Sequence, residues 1–402
     1  MERLKIALAG VGGFGRVHLE AAEKLVLEGL IEIVAFAEPS DGPPAIERLE
    51  EFGAYRYTDY ETMLASEPAL QLVCVASPTG QHHAMAKAAL ERGLHVFLEK
   101  PPAVRIQDFR ELAALQEKND LFCAVDFHDI ARPEIFALKN MLCEGALGPL
   151  REIHAHARWV RGDAYYARTP WAGKLQKDGA WVLDGPLNNA CGHVLNLTAY
   201  FAGTEPHEFA KPVWVQGELY RAAVIEGEDT SCLCASFSTG VEVCIHVTQA
   251  ASRNHPRSWT LVGENGTATY DDEAGATCSG LHLPLAGNEP PNFTLLRRLC
   301  EVAVGSDEPL LMPLAESEAF VLLSNGAYES SANIHPVPPE HTRRLTLEGG
   351  DEATTIEGID ELMLEGAESG KLLSEMNVPW AVPGARFNVD NYSTFPERWR
   401  EK

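Results

Sequence analysis

Residues 4–18 read Leu4-Lys5-Ile6-Ala7-Leu8-Ala9-Gly10-Val11-Gly12-Gly13-Phe14-Gly15-Arg16-Val17-His18, an apolar run that passes through G-x-G-x-x-G into a helical period. Each glycine has its own work in that pattern. Gly10 permits a tight turn, Gly12 lets a pyrophosphate approach the backbone, and Gly15 lets helix and strand pack closely. Glu38 closes the second apolar run, where a carboxylate accepts hydrogen bonds from a ribose diol and repels a 2'-phosphate. Dinucleotide binding is therefore expected, with NAD preferred to NADP. Arg48 and Arg56 are the nearby cations that argue the other way.

Outward from this turn, short apolar runs alternate with amphipathic stretches as far as Asp126. Strands are expected at Lys5 to Ala9, Glu32 to Ala37, Leu70 to Ala76, His95 to Leu98 and Leu121 to Asp126, with helices between them. Beyond Arg132 the period changes to strand-rich segments with Ser238-Thr239-Gly240 and Glu264-Asn265-Gly266 as hairpin turns. The expected architecture is an α/β Rossmann N-terminal domain, residues 1–128, followed by an α+β C-terminal domain, residues 129–402, with a large, mainly antiparallel open sheet. Two later helices are expected, from Ala315 to Ser330 and from Ile356 to Ser374. Glu348 to Glu375 is strongly acidic and reads as a solvated helix face.

The 402 residues carry 33 basic and 58 acidic side chains, a net charge of −25, with 45% hydrophobic residues. Such a balance disfavours nucleic acid and anionic lipid as partners. No apolar run is long enough to span a bilayer and no leader pattern opens the chain, so a soluble protein is expected. The nine cysteines include no C-x-x-C pair and read as reduced core residues, which points to the cytoplasm. P-loop, H-E-x-x-H and G-x-S-x-G patterns are absent, and no metal site is expected. His154 and His156 alternate on one strand, most simply facing solvent.

Two further stretches carry chemistry: Ser77-Pro78-Thr79-Gly80-Gln81-His82, and Glu99-Lys100-Pro101-Pro102 at the end of a strand. Together with the glycine turn, they resemble the glucose-fructose oxidoreductase, inositol dehydrogenase and rhizopine-catabolism (Gfo/Idh/MocA) family. The resemblance implies a cofactor lined by Gly10, Gly12, Gly13, Phe14, Gly15, Glu38, Ser77, Pro78, Thr79, His82, Glu99 and Lys100. Lys100 would lie between nicotinamide and substrate. An ammonium clamped before two prolines at a strand's end is also, on its own chemistry, suited to stabilising an alkoxide.

The family's second signature is D-x-x-x-H on a helix, with the histidine as proton acceptor. Here His193 is preceded four residues earlier by Asn189, and an alternative alignment uses Asp184. An amide can orient an imidazole but supplies no negative charge, so Asn189 and Asp184 both stand as candidates to support it. Asn188, His128, Arg168 and Trp171 are expected around the substrate, since rings interspersed with cations suit a polyhydroxylated ligand. The expected function is hydride transfer between NAD and a sugar, cyclitol or sugar-derived hydroxyl. An NAD-dependent glycosidase and a catalytically weak nucleotide-binding regulator are the alternatives. The resemblance implies a homodimer or homotetramer, and an uncovered sheet face would need a partner. The aromatic tail from Val378 to Lys402 should pack across a surface.

Overall fold

The structure, a computed structural model, describes residues 3–287 and 289–399. Its first sheet is built from β1 (Leu4–Ala9), β2 (Ile31–Ala37), β3 (Tyr55–Tyr57), β4 (Leu72–Val75), β5 (His95–Leu98) and β6 (Cys123–Val125). All neighbours pair in parallel, in the order β3-β2-β1-β4-β5-β6. The connecting helices are α1 (Gly15–Leu27), α2 (Ala45–Glu51), α3 (Tyr60–Ser66), α4 (His82–Glu91) and α5 (Ile106–Lys118). β1, β4 and β6 are buried along their whole length apart from Lys5 in β1, which is why they read as continuous apolar runs rather than alternating ones. The strand order reverses between β1 and β4. That switch point opens a crevice beyond the strands' carboxyl ends, where ligands of such sheets bind.

The second unit contains α6 (Pro133–Cys143), β7 (Leu150–Arg158), α7 (Asp163–Ala167), β8 (Gln176–Lys177), β9 (Ala180–Trp181) and α8 (Gly192–Ala202). It continues through β10 (Pro212–Arg221), β11 (Thr230–Phe237), β12 (Glu242–Thr248), β13 (Ser258–Gly263), β14 (Gly266–Asp271), β15 (Gly275–Cys278) and β16 (Leu281–Leu283). The chain then forms α9 (Pro291–Ala303), which packs on α1 of the first unit, with Arg297 on Glu28 and Lys24 over the Phe293 ring. Last come α10 (Glu318–Ser331), β17 (Ile334–Pro336), the hairpin β18 (Thr342–Thr346) with β19 (Glu352–Ile356), α11 (Ile359–Ser369) and β20 (Phe387–Asn388). The large sheet runs β16-β15-β14-β13-β7-β12-β11-β10-β17, with β20 beside β10, and only the β7–β12 and β10–β17 pairings are parallel. One compact unit comprises Met1–Ala103, Gln107–Arg132 and Gly287–Ser317, and the other the remainder. Relative to the expected boundary at 128/129, the chain thus returns to the Rossmann unit once more through Gly287–Ser317.

The large sheet is covered on both sides of its β7–β10 half. Val215, Gly217 and the inward residues of β12 meet α10 and α8; Gly217 lacks a Cβ where one would lie 2.9 Å from the Cα of Ala327. The opposite face packs Tyr220 and Cys232 against Ile359, Met363, Leu373 and Trp380. Burying each such side chain contributes about 1.5–3 kcal/mol. The expectation of an uncovered face is corrected accordingly: the chain's own C-terminal segment lies on it. His154 and His156 likewise do not face solvent, because with His246 they stand on the α11 side. Burial pushes His156 and His246 down to about 4, so these rings are neutral.

Three other expectations change. The acidic stretch yields a shorter helix than Ile356 to Ser374, because residues 352–356 pair as β19 and Gly370 closes α11 in the left-handed region at φ 65°. Its Glu361, Glu365 and Glu368 do face outward. The nine cysteines are not all reduced: Cys234 and Cys244 sit directly opposite on β11 and β12, Cα atoms 4.2 Å apart, and form a disulfide. Cysteine usage therefore gives no argument for a reducing compartment. Among the described residues, no helix is long and apolar enough to cross a membrane. The aromatic tail packs as expected as far as Trp399, with residues 400–402 outside the described residues. Phe395 and Trp399 meet Tyr328 edge-on, and buried Glu329 accepts from the Tyr392 hydroxyl and from the backbone N–H groups of Glu397, Arg398 and Trp399.

Candidate functional site

The glycine turn forms the cradle that its spacing predicts. Gly10 adopts φ 83°, and a Cβ there would lie 2.7 Å from the Ala76 carbonyl oxygen at the end of β4. Gly13 has nothing within 4 Å of its Cβ position. α1 begins at Gly15 with no side-chain cap and no acidic residue in its first turn, so the positive end of its dipole is left for an anion rather than taken by its own side chains. These features fit a dinucleotide pyrophosphate.

Glu38 is buried beside this turn. Its Oε2 accepts from Val11 N at 3.1 Å and its Oε1 from Ser40 N and Oγ at 3.1 and 2.7 Å. Burial raises its pKa, but the hydrogen bonds from Ser40, Val11 and Gly12 outweigh it and hold the carboxyl below its ordinary range. Arg48 pairs with Glu23, and Arg56 with Asp41 at 2.8 Å and the Ser40 carbonyl at 2.7 Å. Both cations that could welcome a 2'-phosphate are thus engaged.

His82, expected to line the cofactor, is 2% exposed, with Nδ1 2.7 Å from the Pro101 carbonyl oxygen and Nε2 2.8 Å from that of Ser77. It acts as a brace between those two loops, and burial lowers its pKa. Half-buried Lys100 sits on the far loop, joined to Pro101 by a cis peptide bond. Ser77 is half-buried, Pro78 exposed and Thr79 buried on the near loop. Glu99 points inward instead of toward a cofactor, its Oε1 3.0 Å from His18 Nε2. Asp126 Oδ2 lies 3.6 Å from the same nitrogen, and Asp126 Oδ1 lies 3.2 Å from His128 Nδ1. Burial lowers the His128 pKa, but the Asp126 charge and hydrogen bond, aided by Asp129 and Glu99, take it up to about 8. Phe14 stacks on His128 with centroids 6.3 Å apart. Sequence reasoning missed His18 and Asp126, since a histidine in a helix and an aspartate after a strand carry no motif.

In the second unit, Asp184 is the hub. It is 4% exposed, accepts from Gly173 N at 2.7 Å and from Asn189 Nδ2 at 2.6 Å, and has Arg168 Nη2 at 3.8 Å. Asn189 and Asp184 are thus joined by a hydrogen bond, and both stand as candidates to support His193. Asn189 lies in a wide turn, Pro186–Ala190, and Cys191 breaks the backbone before α8 carries His193, so the i, i+4 relation is not that of one continuous helix. His193 is 9% exposed. Asn188 is corrected out of the substrate set: it is 1% exposed, donates to the Val182 carbonyl and accepts from Ser324. The Arg168 guanidinium lies 3.6 Å from the Tyr165 ring centroid and 5.3 Å from that of Trp171. Beneath the turn, Glu228 is fully buried against Gly185 and accepts from the Tyr328 hydroxyl. The run Glu226-Gly227-Glu228-Asp229 looks like a surface turn, so nothing in the sequence marked it.

A model of the Gfo/Idh/MocA oxidoreductases, described as an oxidoreductase family with an NAD-binding Rossmann fold, matches residues 4–127, and a Gfo/Idh/MocA C-terminal domain model matches residues 135–269. The chain belongs to the Gfo/Idh/MocA family. Among relatives, an uncharacterised oxidoreductase of Synechocystis sp. is 26% identical over 220 residues, 53% of this chain and 58% of its own length. Levoglucosan dehydrogenase of Pseudarthrobacter phenanthrenivorans is 24% identical over 210 residues, 50% of this chain and 52% of the relative. The chain thus spans little more than half of these Gfo/Idh/MocA relatives. The WlbA dehydrogenase of Bordetella pertussis, solved with NADH and UDP-GlcNAcA, shares the fold at a TM-score of 0.70 and 21% identity, over 82% of this chain and 96% of that one. The C-terminal segment that covers the sheet lies beyond the residues matched by the Gfo/Idh/MocA models.

Proposed function

We propose that this chain is an NAD-dependent oxidoreductase acting on the CH–OH group of a sugar, cyclitol or sugar-derived molecule. The observation that carries the reading is the open cradle at Gly10–Gly15 beside an ionised Glu38, with both neighbouring arginines engaged. This supports NAD over NADP. Gly10, Gly12, Gly13, Phe14 and Gly15 hold the pyrophosphate, Glu38 takes the ribose diol, and Ser77, Pro78 and Thr79 line the strand-end loop. Bound NAD supplies a two-electron hydride acceptor.

Lys100 stabilises the negative charge that develops on the substrate oxygen. His193 takes the hydroxyl proton. Because Asn189 Nδ2 donates to Asp184, the amide's orientation is fixed with its carbonyl oxygen as the group that can accept an imidazole N–H. Asp184 then supplies through Asn189 the negative charge an amide lacks. His128 forms the wall beside Phe14, and Arg168 and Trp171 receive the substrate. A homodimer or homotetramer of this chain would use surfaces other than the β7–β10 faces, which its own helices cover.

The test is nicotinamide fluorescence with NAD and NADP, then NADH formation with pooled polyols. Tight NAD binding with substrate-dependent reduction supports the reading. Equal affinity for NADP, or no dinucleotide binding, refutes it.

A further inference from the structure

The proposed substrate loop holds one arginine that the function above leaves idle. Arg161 stacks between rings, its guanidinium carbon 4.9 Å from the Trp159 centroid and 5.1 Å from that of Tyr165. Arg168 lies on Tyr165 and near Trp171. Trp159, Arg161, Tyr165, Arg168 and Trp171 therefore alternate ring and cation along one loop. The loop is braced: Arg344 forms two hydrogen bonds to Asp163, and Asp351 accepts from Ala164 N at 3.2 Å.

Charge pairing separates Arg161 from the arginines that are neutralised by a carboxylate. In this chain of net charge −25, Arg48, Arg151, Arg257 and Arg344 each sit on a carboxylate. Arg161 instead meets its neighbour's carbonyl at 3.1 Å and Asn254 Oδ1 at 3.4 Å, and its buried Nε has no hydrogen-bond partner among the described residues. Arg168's nearest carboxylate, Asp184 at 3.8 Å, is already occupied by Gly173 and Asn189. Stacked guanidinium groups are held flat with their N–H edges presented outward, the arrangement that recognises planar anions.

We propose, resting on the oxidoreductase reading above, that the substrate carries a carboxylate, as a uronate, aldonate or cyclitol acid does, and that Arg161 and Arg168 anchor it. The rings Tyr165 and Trp171 cover the C–H face of the same molecule. The hydroxyl that is oxidised lies elsewhere on the ligand, so the carboxylate fixes orientation and takes no part in the chemistry.

The test uses full-length protein with D-glucuronate, D-galacturonate, D-gluconate and quinate, each against its methyl ester, which keeps the skeleton and removes the charge. Binding to NADH-loaded protein is followed by calorimetry, and NADH formation from NAD is followed separately. At least one acid should bind about tenfold or more tightly than its ester, the worth of a charge-assisted hydrogen bond. Arg161→Gln should bring that ratio within about threefold while the NAD dissociation constant stays as in the wild type, and Arg161→Lys should retain part of it. The proposal is overturned if no acid outbinds its ester, or if the advantage survives in the Arg161→Gln, Arg168→Gln double variant. Failure of the oxidoreductase reading has a different signature, namely no binding of NAD or NADH at all.

Discussion

Replacing Glu228 by Gln should remove a contribution to the protein's stability that falls as pH rises. The carboxyl is fully buried, accepts from Tyr328, and has Gly185 against it where any side chain would collide. Desolvation is the largest influence and raises its pKa from 4.5 to about 8. The Tyr328 hydroxyl and the backbone N–H groups of Glu228 and Leu187 pull it down, and the Asp184 charge adds to the rise. Between those two values the folded protein holds a proton that the unfolded chain has lost, so this contribution is complete below pH 4.5 and drains away as pH climbs toward 8. The slope is about 1.4 kcal/mol per pH unit, and the whole span is worth roughly 5 kcal/mol. Glutamine keeps an acceptor for Tyr328 but puts an N–H where Glu228 Oε1 has no partner, a cost of about 1–2 kcal/mol. Glu228→Gln should therefore be the less stable protein near pH 4.5, match the wild type around pH 5.5–6 and be the more stable by about 3 kcal/mol at pH 8. Thermal unfolding at intervals from pH 5 to 8.5 reads this as a crossing of the two melting curves. Parallel profiles would mean that Glu228 is ionised in the fold, and the argument from its burial would be wrong.

Four other outcomes are expected. Glu38→Ala should raise the NAD dissociation constant about tenfold, as loss of a charge-assisted hydrogen bond does, while NADP affinity moves less than about threefold; equal losses count against Glu38 as the ribose ligand. Lys100→Met should cut kcat by about 10²–10³ with NAD affinity kept within about twofold, checked by steady-state kinetics beside fluorescence titration. Asn189→Asp should not restore a stronger base, because it sets two carboxylates where a 2.6 Å hydrogen bond now joins amide to Asp184. One of the two must take a proton, and kcat at neutral pH should fall, a prediction undone by any gain in turnover. His128→Asn should cost about 2 kcal/mol below pH 6.5 and progressively less as pH rises through about 8, because the His128 pKa is raised in the fold; a pH-independent loss in denaturant titration would contradict this.

The Rossmann unit was legible because its signals are local. A six-residue buried strand, a glycine turn and a helix follow one another without a break, and their order fixes the right-handed crossover. β3, only Tyr55–Tyr57, and α3 were too short to show a period, and α3 is marked mainly by its Asp59 cap. α9 has clear helical spacing in Phe293, Leu296 and Cys300, yet nothing local says that it returns to α1 after the Pro133–Ala286 part of the second unit. The coverage of the large sheet was hidden for a related reason. Tyr220 and Trp380 each read as an isolated aromatic, and only the register of β10 against the tail brings their rings to 5.0 Å.

The site divides along the same line. Features that depend on backbone shape were legible from spacing: Gly10 adopts positive φ in the turn, and Lys100 follows the end of β5. Those whose chemistry depends on side chains from distant segments were not, or were placed wrongly. Glu99 belongs to a signature triplet, but its carboxylate is drawn inward by His18, from a helix that precedes it by four strand–helix steps. The tie between Asp184 and Asn189 shows why alignment alone misleads here. A one-residue signature asks which position holds the carboxylate, whereas here the carboxylate of Asp184 stands one hydrogen bond away from the amide at that position. An asparagine in place of a motif aspartate is then to be read with its neighbours, because here the buried Asp184, which accepts from Gly173 N and the Asn189 amide, stands directly behind the residue at that position.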